Sequence, residues 1–470
     1  ERVHRAVCCL NVDRVFDHRQ SLAPAARRIV LGEIEVCIAG VASLFRMARS
    51  FGPGSLDRHN SGRLTLMDES AFRPNDAGLH WAVSALFDDF VDVNMSELPD
   101  ALPDEGMGPK DALAMLAPSI LGQGRDLSAP GFFAHMDPPT PWVTWAASLW
   151  TASKNQNLLH PDTAPQAREM EQRVIGWLAP YFGQSGGHFT PGSTVANVTA
   201  IWAAREIGAQ SVVAGAGAHL SVRKAAHLLN MPFRVVENWS DPGDVSASVV
   251  VLTAGTTSTG EIEPLAAAPD ALWRHADAAW SGPLRLSQQH SHLLDGIDDF
   301  DSVAVSAHKW LFQPKESALI LFADHQSAHE SISVDGAYLA VPNVGVLGSH
   351  GAAAAPLLAT LLAYGRNGIA QMLDQSMELA DWLHDLAEAS DDFVVRSRPH
   401  TGVLCWRHRT VAPDAIKQHL TDDAFISTTT VDGEPWLRSV AANPLANPEY
   451  VFQAARQAAE AATTGNQATP

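Results

Sequence analysis

The sequence predicts an α/β fold built on a mainly parallel sheet with helices on both faces, followed by a smaller α+β domain. Three observations carry this. From residue 165 onward, short apolar runs alternate with helix-length segments. The runs are near-continuous rather than alternating, which is how strands covered on both faces read. After Asp324 the texture changes to one long helical run and two β-like stretches, the pattern of a second, smaller domain.

The elements follow in order. Residues 75–123 are helical in pattern, with Leu79, Ala82, Leu86, Phe87 and Phe90 at three-to-four spacing, broken by the Pro-rich stretch Leu98-Pro-Asp-Ala-Leu-Pro103. Pro165 to Tyr181 reads as an amphipathic helix, and Ser193 to Gly208 as a second, opening at a Gly-Ser-Thr turn. Strands are expected at Ser211–Ala214, Arg234–Glu237, Ser248–Thr253, Leu272–Ala276, Ser302–Ser306 and Ala318–Phe322. A long helix is expected over Ala352–Leu386. The β-like stretches Phe393–Trp406 and Phe425–Val440 follow, the second containing an Asp432-Gly433 turn, and then a final helix over Glu449–Ala462.

Composition narrows the function. With 46% hydrophobic and 18% charged residues in 470, the chain has ample material for a large core. A net charge of -20 argues against nucleic acid as a partner, and no uncharged apolar run approaches the ~18 residues of a membrane span. Four cysteines without a CxxC pair exclude a disulfide scaffold and a zinc ribbon, so a reducing, cytoplasmic setting and no metal are expected. Residues 1–66 differ from the rest: ten Arg, no Lys and six Asp+Glu leave the segment at +4 and residues 67–470 at -24. The expectation is a natural start near Met67, with a real helical extension as the alternative. A helical arm over 67–130, a large domain over 131–325 and a small C-terminal domain over 326–470 complete the expected organisation.

In an open parallel sheet ligands sit beyond the carboxyl ends of the strands, so the residues that follow each strand matter most. Lys309 follows Val303-Ala-Val-Ser306; at the rim of a buried sheet its ammonium loses hydration, which frees the amine as a nucleophile for a Schiff base to an aldehyde cofactor. The bland alternative is a surface lysine ending a strand. Asp277 ends the preceding strand and suits a protonated ring nitrogen, or else caps a helix. Ser193 and Thr194 open a helix whose free N–H groups suit a phosphate, and Ser306 and His308 complete such a cup. Thr256 lies in Thr253-Ala-Gly-Thr-Thr-Ser-Thr-Gly260, a string that is equally a turn, and His219 either stacks on a flat ring or is structural. Two patterns are set aside: Gly215-Ala-Gly217 lacks the third glycine of a dinucleotide fingerprint, and His290 with His292 lacks carboxylate partners for a metal.

The ordered strings Phe189-Thr-Pro-Gly-Ser-Thr-Val-Ala-Asn197, His219-Leu-Ser-Val-Arg-Lys224, Thr253 to Gly260, Asp277-Ala-Ala-Trp280 and Ser306-Ala-His-Lys-Trp310 resemble the group II pyridoxal-phosphate-dependent amino acid decarboxylases. The resemblance runs from about Asp76 to Ala462. It implies a fold type I pyridoxal-phosphate enzyme with a seven-stranded sheet, working as a homodimer with sites at the subunit interface, and an L-amino acid as substrate. It makes Lys309 the Schiff-base lysine, Asp277 the partner of the pyridine nitrogen and His219 the ring-stacking residue. Ser193, Thr194, Thr256, Ser306, His308 and Ser349 become cofactor ligands. Arg438, in Trp436-Leu-Arg-Ser, matches a substrate-carboxylate arginine, and His135, in Phe132-Phe-Ala-His135, lines the substrate pocket. The chain departs from the family where Pro191, Ser193 and Val195 replace the usual residues. It departs again at Tyr338–Gly348, which is short and has no tyrosine after Tyr338 itself. His219, His350 and water stay open as the Cα proton donor. Aldehyde-forming or C–C lyase chemistry, and a non-catalytic dimeric homologue, stand as alternatives.

Overall fold

The computed structural model describes residues 74–88, 90, 98–99 and 101–465, so the expectations for residues 1–66, with Cys8, Cys9 and Cys37, lie outside the described residues. The described residues divide into two compact units, one carrying 74–88 and 105–114, the other nearly all the rest. Asn75 caps α1 (Asp76–Ser84) by accepting from Gly78 N at 2.9 Å, and α2 spans Pro109–Ala117. Among the described residues the expected helical pattern over 75–123 contains α1 and α2, with Pro99 and Pro103 between them, where proline removes a donor and fixes φ.

The larger unit is organised by a seven-stranded sheet ordered β1-β7-β6-β5-β4-β2-β3. Its strands are β1 (Gly186–Thr190), β2 (Ser211–Gly215), β3 (Phe233–Val236), β4 (Ser248–Thr253), β5 (Trp273–Asp277), β6 (Ser302–Val305) and β7 (Ala318–Phe322). Pairing is parallel from β3 through β6, and β7 runs antiparallel to both neighbours. Every residue of β4 and β6 is buried, which explains their unbroken apolar runs. Strand β1 has no counterpart among the expected strands, because Gly186-Gly-His-Phe-Thr190 has no apolar run. Packing dictates the glycines: a Cβ on Gly187 would stand 2.0 Å from the Ile320 carbonyl oxygen on β7. Short strands β8 (Ser333–Val334) and β9 (Asn343–Val344) pair outside this sheet.

Helices α3 (Trp142–Lys154), α4 (Pro165–Leu178), α5 (Ser193–Glu206), α6 (Leu220–Leu228) and α7 (His325–Ser331) accompany the sheet. Helix α8 (Ala354–Glu388) is the expected long helix, interrupted at Gly365, whose φ of 61° no neighbour in the helix shares. Beyond it an antiparallel sheet runs β10 (Phe393–Val395), β11 (Val403–His408), β13 (Glu434–Val440), β12 (Ser427–Val431), with α9 (Pro413–His419) and α10 (Pro448–Gly465). Each expected β-like stretch is therefore a pair of strands. Asp432 and Gly433 both have positive φ (54° and 79°), as a tight hairpin turn between right-twisted strands demands.

Two tryptophans join the parts. Trp280 and Trp310 stack at 3.9 Å between centroids and are fully buried. Trp280 Nε1 donates to Thr401 O at 2.7 Å and Trp310 Nε1 to Ala441 O at 3.3 Å. Each lies within three residues of a strand-end candidate, Asp277 or Lys309, so packing there reaches the site. Gly402 (φ 69°) presses on this pair: a Cβ would lie 2.9 Å from the Trp310 ring. Gly402→Ala is expected to cost roughly 1–3 kcal/mol, from left-handed strain plus overpacking. A urea midpoint unchanged from wild type would show that Trp310 has room to move.

Candidate active site

Strands β4, β5 and β6 end side by side, and the residues after them surround a cavity of about 240 Å3. Seven residues chosen from sequence line it: Ser193, Thr194, His219, Asp277, Ser306, His308 and Lys309. They come from separate stretches of chain, and the sheet brings them together because β4, β5 and β6 run parallel and end on the same edge.

Burial dominates the electrostatics. Desolvation holds the Lys309 ammonium below the ordinary lysine range, while the nearby Asp277 charge partly opposes it. Asp277 is 3% exposed. Its Oδ1 accepts from Ala279 N at 3.2 Å and its Oδ2 from Asn197 Nδ2 at 2.8 Å. His219 is the N-cap of α6, and its Nδ1 accepts from Ser221 N at 3.2 Å. A backbone N–H can only donate, so Nδ1 carries the lone pair and the ring proton sits on Nε2. Burial pulls the His219 pKa down, against the Asp277 charge, and favours this neutral form.

The opposite wall is built for an anion. Gly192, the N-cap of α5, offers no side-chain cap, so the first amides of the helix face the cavity with the positive end of its dipole. The Ser193 and Ser306 hydroxyls meet there at 2.5 Å. His308 is driven down to about 4 by burial, and its buried Nδ1 and the buried Thr253 hydroxyl have no hydrogen-bond partner among the described residues. Unpaired buried donors are costly unless a ligand satisfies them. An aldehyde bearing a phosphate and a basic ring nitrogen fits this donor set: amides, hydroxyls and imidazole for the phosphate, Asp277 for the ring nitrogen, and the Lys309 amine for the aldehyde.

Four sequence-chosen residues lie elsewhere. Thr256 is used by its own turn, accepting from Glu261 N at 3.2 Å and bonding Thr259 Oγ1 at 2.8 Å. Thr253 and Thr257 line the cavity in its place. Thr253 faces Asp277 across the β4–β5 register, so its strand-end position is the available signal. Ser349 accepts from Asn157 Nδ2 at 3.0 Å, outside the cavity. His135 adopts a left-handed φ of 55° beside Met136, which lines the cavity, and burial lowers its pKa. Arg438, on β13, is 7% exposed. Its Nε donates to Thr257 O at 2.7 Å and its Nη1 to Ser427 Oγ at 3.4 Å, with no carboxylate in ion-pair range among the described residues. Its charge is felt at both Lys309 and His135.

Of the candidate proton donors, His350 lines a different cavity, with Glu171 and His188. Among the described residues the one cluster with metal-ligand spacing is His384, Asp385 and Glu388, and Arg398 already pairs with Asp385. His290 and His292 form no such cluster. No helix among the described residues is long and apolar enough to cross a membrane.

Comparison with known proteins converges on the same chemistry. Residues 94–409 match the model of the pyridoxal-dependent decarboxylase conserved domain. The chain is 26% identical over 467 residues to the aspartate 1-decarboxylase of Aliivibrio fischeri, covering 77% of this chain and 84% of that one. It is 27% identical over 407 residues to the L-2,4-diaminobutyrate decarboxylase of Rhizobium meliloti, covering 75% and 82%. Among solved structures, mouse CSAD superposes with a TM-score of 0.73 at 21% identity, over 83% of this chain and 99% of that one. Oryza sativa TDC, solved with PLP and tryptamine, gives 0.73 at 21% identity, over 86% and 99%. The fold is that of these enzymes, and the family match spans the cavity and most of the chain around it. The chain belongs to the pyridoxal-dependent decarboxylase family and is a carboxy-lyase that acts on an amino acid with pyridoxal phosphate as its cofactor.

Proposed function

We propose that this chain decarboxylates an L-amino acid to the corresponding amine and CO2, with Lys309, Asp277 and His219 as its catalytic residues. Bound pyridoxal phosphate supplies an electron sink for the carbanion left at Cα. The chain's own residues prepare for that. Lys309, whose ammonium is destabilised by burial, would supply its amine to hold the aldehyde carbon. Asp277 would present an acceptor that keeps a ring nitrogen protonated, and His219 would offer its ring for stacking. The α5 amides, Ser193, Thr194, Ser306 and His308 would hold the phosphate, with the Thr253 hydroxyl nearby.

The single observation that carries the reading is Arg438. It is a buried guanidinium with no carboxylate in ion-pair range among the described residues, and its charge reaches Lys309. A buried cation without a counter-charge is expensive unless a ligand supplies one. The carboxylate of an amino acid does so, and a bidentate grip orients it. His135 flanks the same region. Two chains pair, with the sites at their interface; Ser349 takes part only across such a pair. The cofactor domain spans 131–325 and the small domain 326–470, with an arm over 67–130. A reducing cytoplasmic setting suits the buried thiol of Cys405.

The test is a panel of L-amino acids, with aspartate, 2,4-diaminobutyrate, cysteine sulfinate and the aromatic residues included. CO2 and amine are expected in equal amounts from at least one of them. Aldehyde and peroxide instead of amine would support the second reading, aldehyde formation, which the tyrosine-free stretch 339–349 favours. No turnover despite bound cofactor would leave a non-catalytic homologue.

A further inference from the structure

Beneath the cavity floor runs a chain of buried polar groups that the steps above use only at Asp277 and His219. Trp273 Nε1 lies 2.8 Å from Ser302 Oγ, and Ser302 Oγ lies 2.8 Å from His275 Nδ1. His275 Nε2 lies 3.0 Å from Asn197 Oδ1. Asn197 Nδ2 lies 2.8 Å from both Asp277 Oδ2 and Ser221 Oγ, and Ser221 Oγ lies 2.7 Å from His219 Nδ1. Asn197, Ser221, His275 and Ser302 are all fully buried.

The protons in this chain have one arrangement. Ser221 N–H must donate to His219 Nδ1, so the Ser221 hydroxyl, facing the same lone pair, also donates to it. Ser221 Oγ is then the acceptor for Asn197, which places the Asn197 NH2 toward Ser221 and Asp277. Its two N–H bonds are used once each. Asn197 Oδ1 therefore faces His275 and requires a proton on His275 Nε2. His275 Nδ1 then accepts from the Ser302 hydroxyl, and Ser302 Oγ accepts from the Trp273 N–H. Every donor and acceptor from Trp273 Nε1 to His219 Nδ1 has a partner within the series. Burial drives His275 down to about 4, which keeps its ring neutral, as a single tautomer needs. Turning the Asn197 amide over would set its oxygen against the Asp277 carboxylate and break its three bonds together.

We propose that Asn197, held by His275 and Ser302, is a positioning residue that locks Asp277 as an acceptor and His219 in its Nε2-protonated form as one unit. The proposal rests on the pyridoxal phosphate reading for its purpose and on the hydrogen bonds alone for its mechanism. Asn197 makes the coupling: one of its N–H bonds serves the residue assigned to the ring nitrogen, the other serves the residue assigned to the ring face. Neither His275 nor Ser302 lines the cavity. The hydrogen-bonded route from them to the cavity passes through Asn197.

The experiment uses the full chain and two measurements. Pyridoxal phosphate affinity is measured by equilibrium dialysis. The His219 tautomer is read from 15N shifts of histidine-labelled protein without cofactor. Asn197→Asp keeps the shape and removes both donors; its dissociation constant is expected to rise roughly 10- to 100-fold, the range for bonds to a charged group. His275→Phe and Ser302→Ala are expected to follow with smaller, graded losses. In the wild type His219 is expected to show a bare Nδ1 and a protonated Nε2, and in Asn197→Asp a mixture. Wild-type affinity together with wild-type His219 shifts in a folded Asn197→Asp would overturn the proposal. If that variant does not fold, Ser302→Ala decides: a few-fold weaker binding with altered His219 shifts supports it, and no change in either overturns it. A wild-type protein that takes up no cofactor overturns the cofactor reading, while the 15N shifts still decide the positioning claim.

Discussion

Lys309→Ala is expected to abolish the visible absorbance of bound cofactor and to lower kcat roughly 1,000-fold or more, because among the described residues no other lysine lines the cavity. The chain has six lysines. Lys154 is exposed at the end of α3, so Lys154→Ala serves as a control that should leave both readouts unchanged. Lys309→Arg separates charge from nucleophilicity. It keeps a cation near Asp277 but cannot form an imine, and it should fail as completely as alanine. If Lys309→Ala keeps a borohydride-sensitive chromophore, the amine that holds the aldehyde is another one.

Arg438→Gln is expected to lower kcat/KM about 100-fold, mainly through KM, because truncating one partner of a buried charge pair costs a few kcal/mol. The ligand-free protein should lose little stability. Its Arg438 is desolvated and has no carboxylate in ion-pair range among the described residues, so glutamine removes a buried charge while keeping a donor for Thr257 O. Arg438→Lys should recover only part of the loss, since an ammonium cannot make the two-pronged contact. Steady-state kinetics beside urea unfolding separate the outcomes. Equal losses of stability and activity would make Arg438 a structural tie between β13 and the Thr257 turn rather than a substrate ligand.

Much of the site is legible in the amino-acid sequence, for a physical reason. Parallel strands end on one edge, and each strand-end residue is a fixed offset from a short apolar run. Lys309, Asp277, Ser306 and His308 can therefore be found by finding β5 and β6. Ser193 and Thr194 are legible because an uncapped helix start is written locally, in Gly192 and the residues after it. Where the local signal is weak, the sequence misleads. Strand β1 hides behind two glycines that only its contact with β7 explains. Thr256 looks as good as Thr253 because both are threonines in one string. Only the turn geometry shows that the Thr256 hydroxyl is occupied and the Thr253 hydroxyl is not.

Asn197 shows the boundary most clearly. In sequence it is one polar residue on a helix face. In the fold it joins Asp277, Ser221 and His275, which lie 80, 24 and 78 positions away. By itself the sequence determined the α/β class, the family and the strand-end chemistry, because those depend on periodicity and short-range spacing. Only the tertiary structure decided which hydroxyls stay free, which buried charge lacks a partner and how one amide orders a chain of protons. Those depend on what meets across the sheet, and hydrogen bonds between distant residues leave no period in the chain.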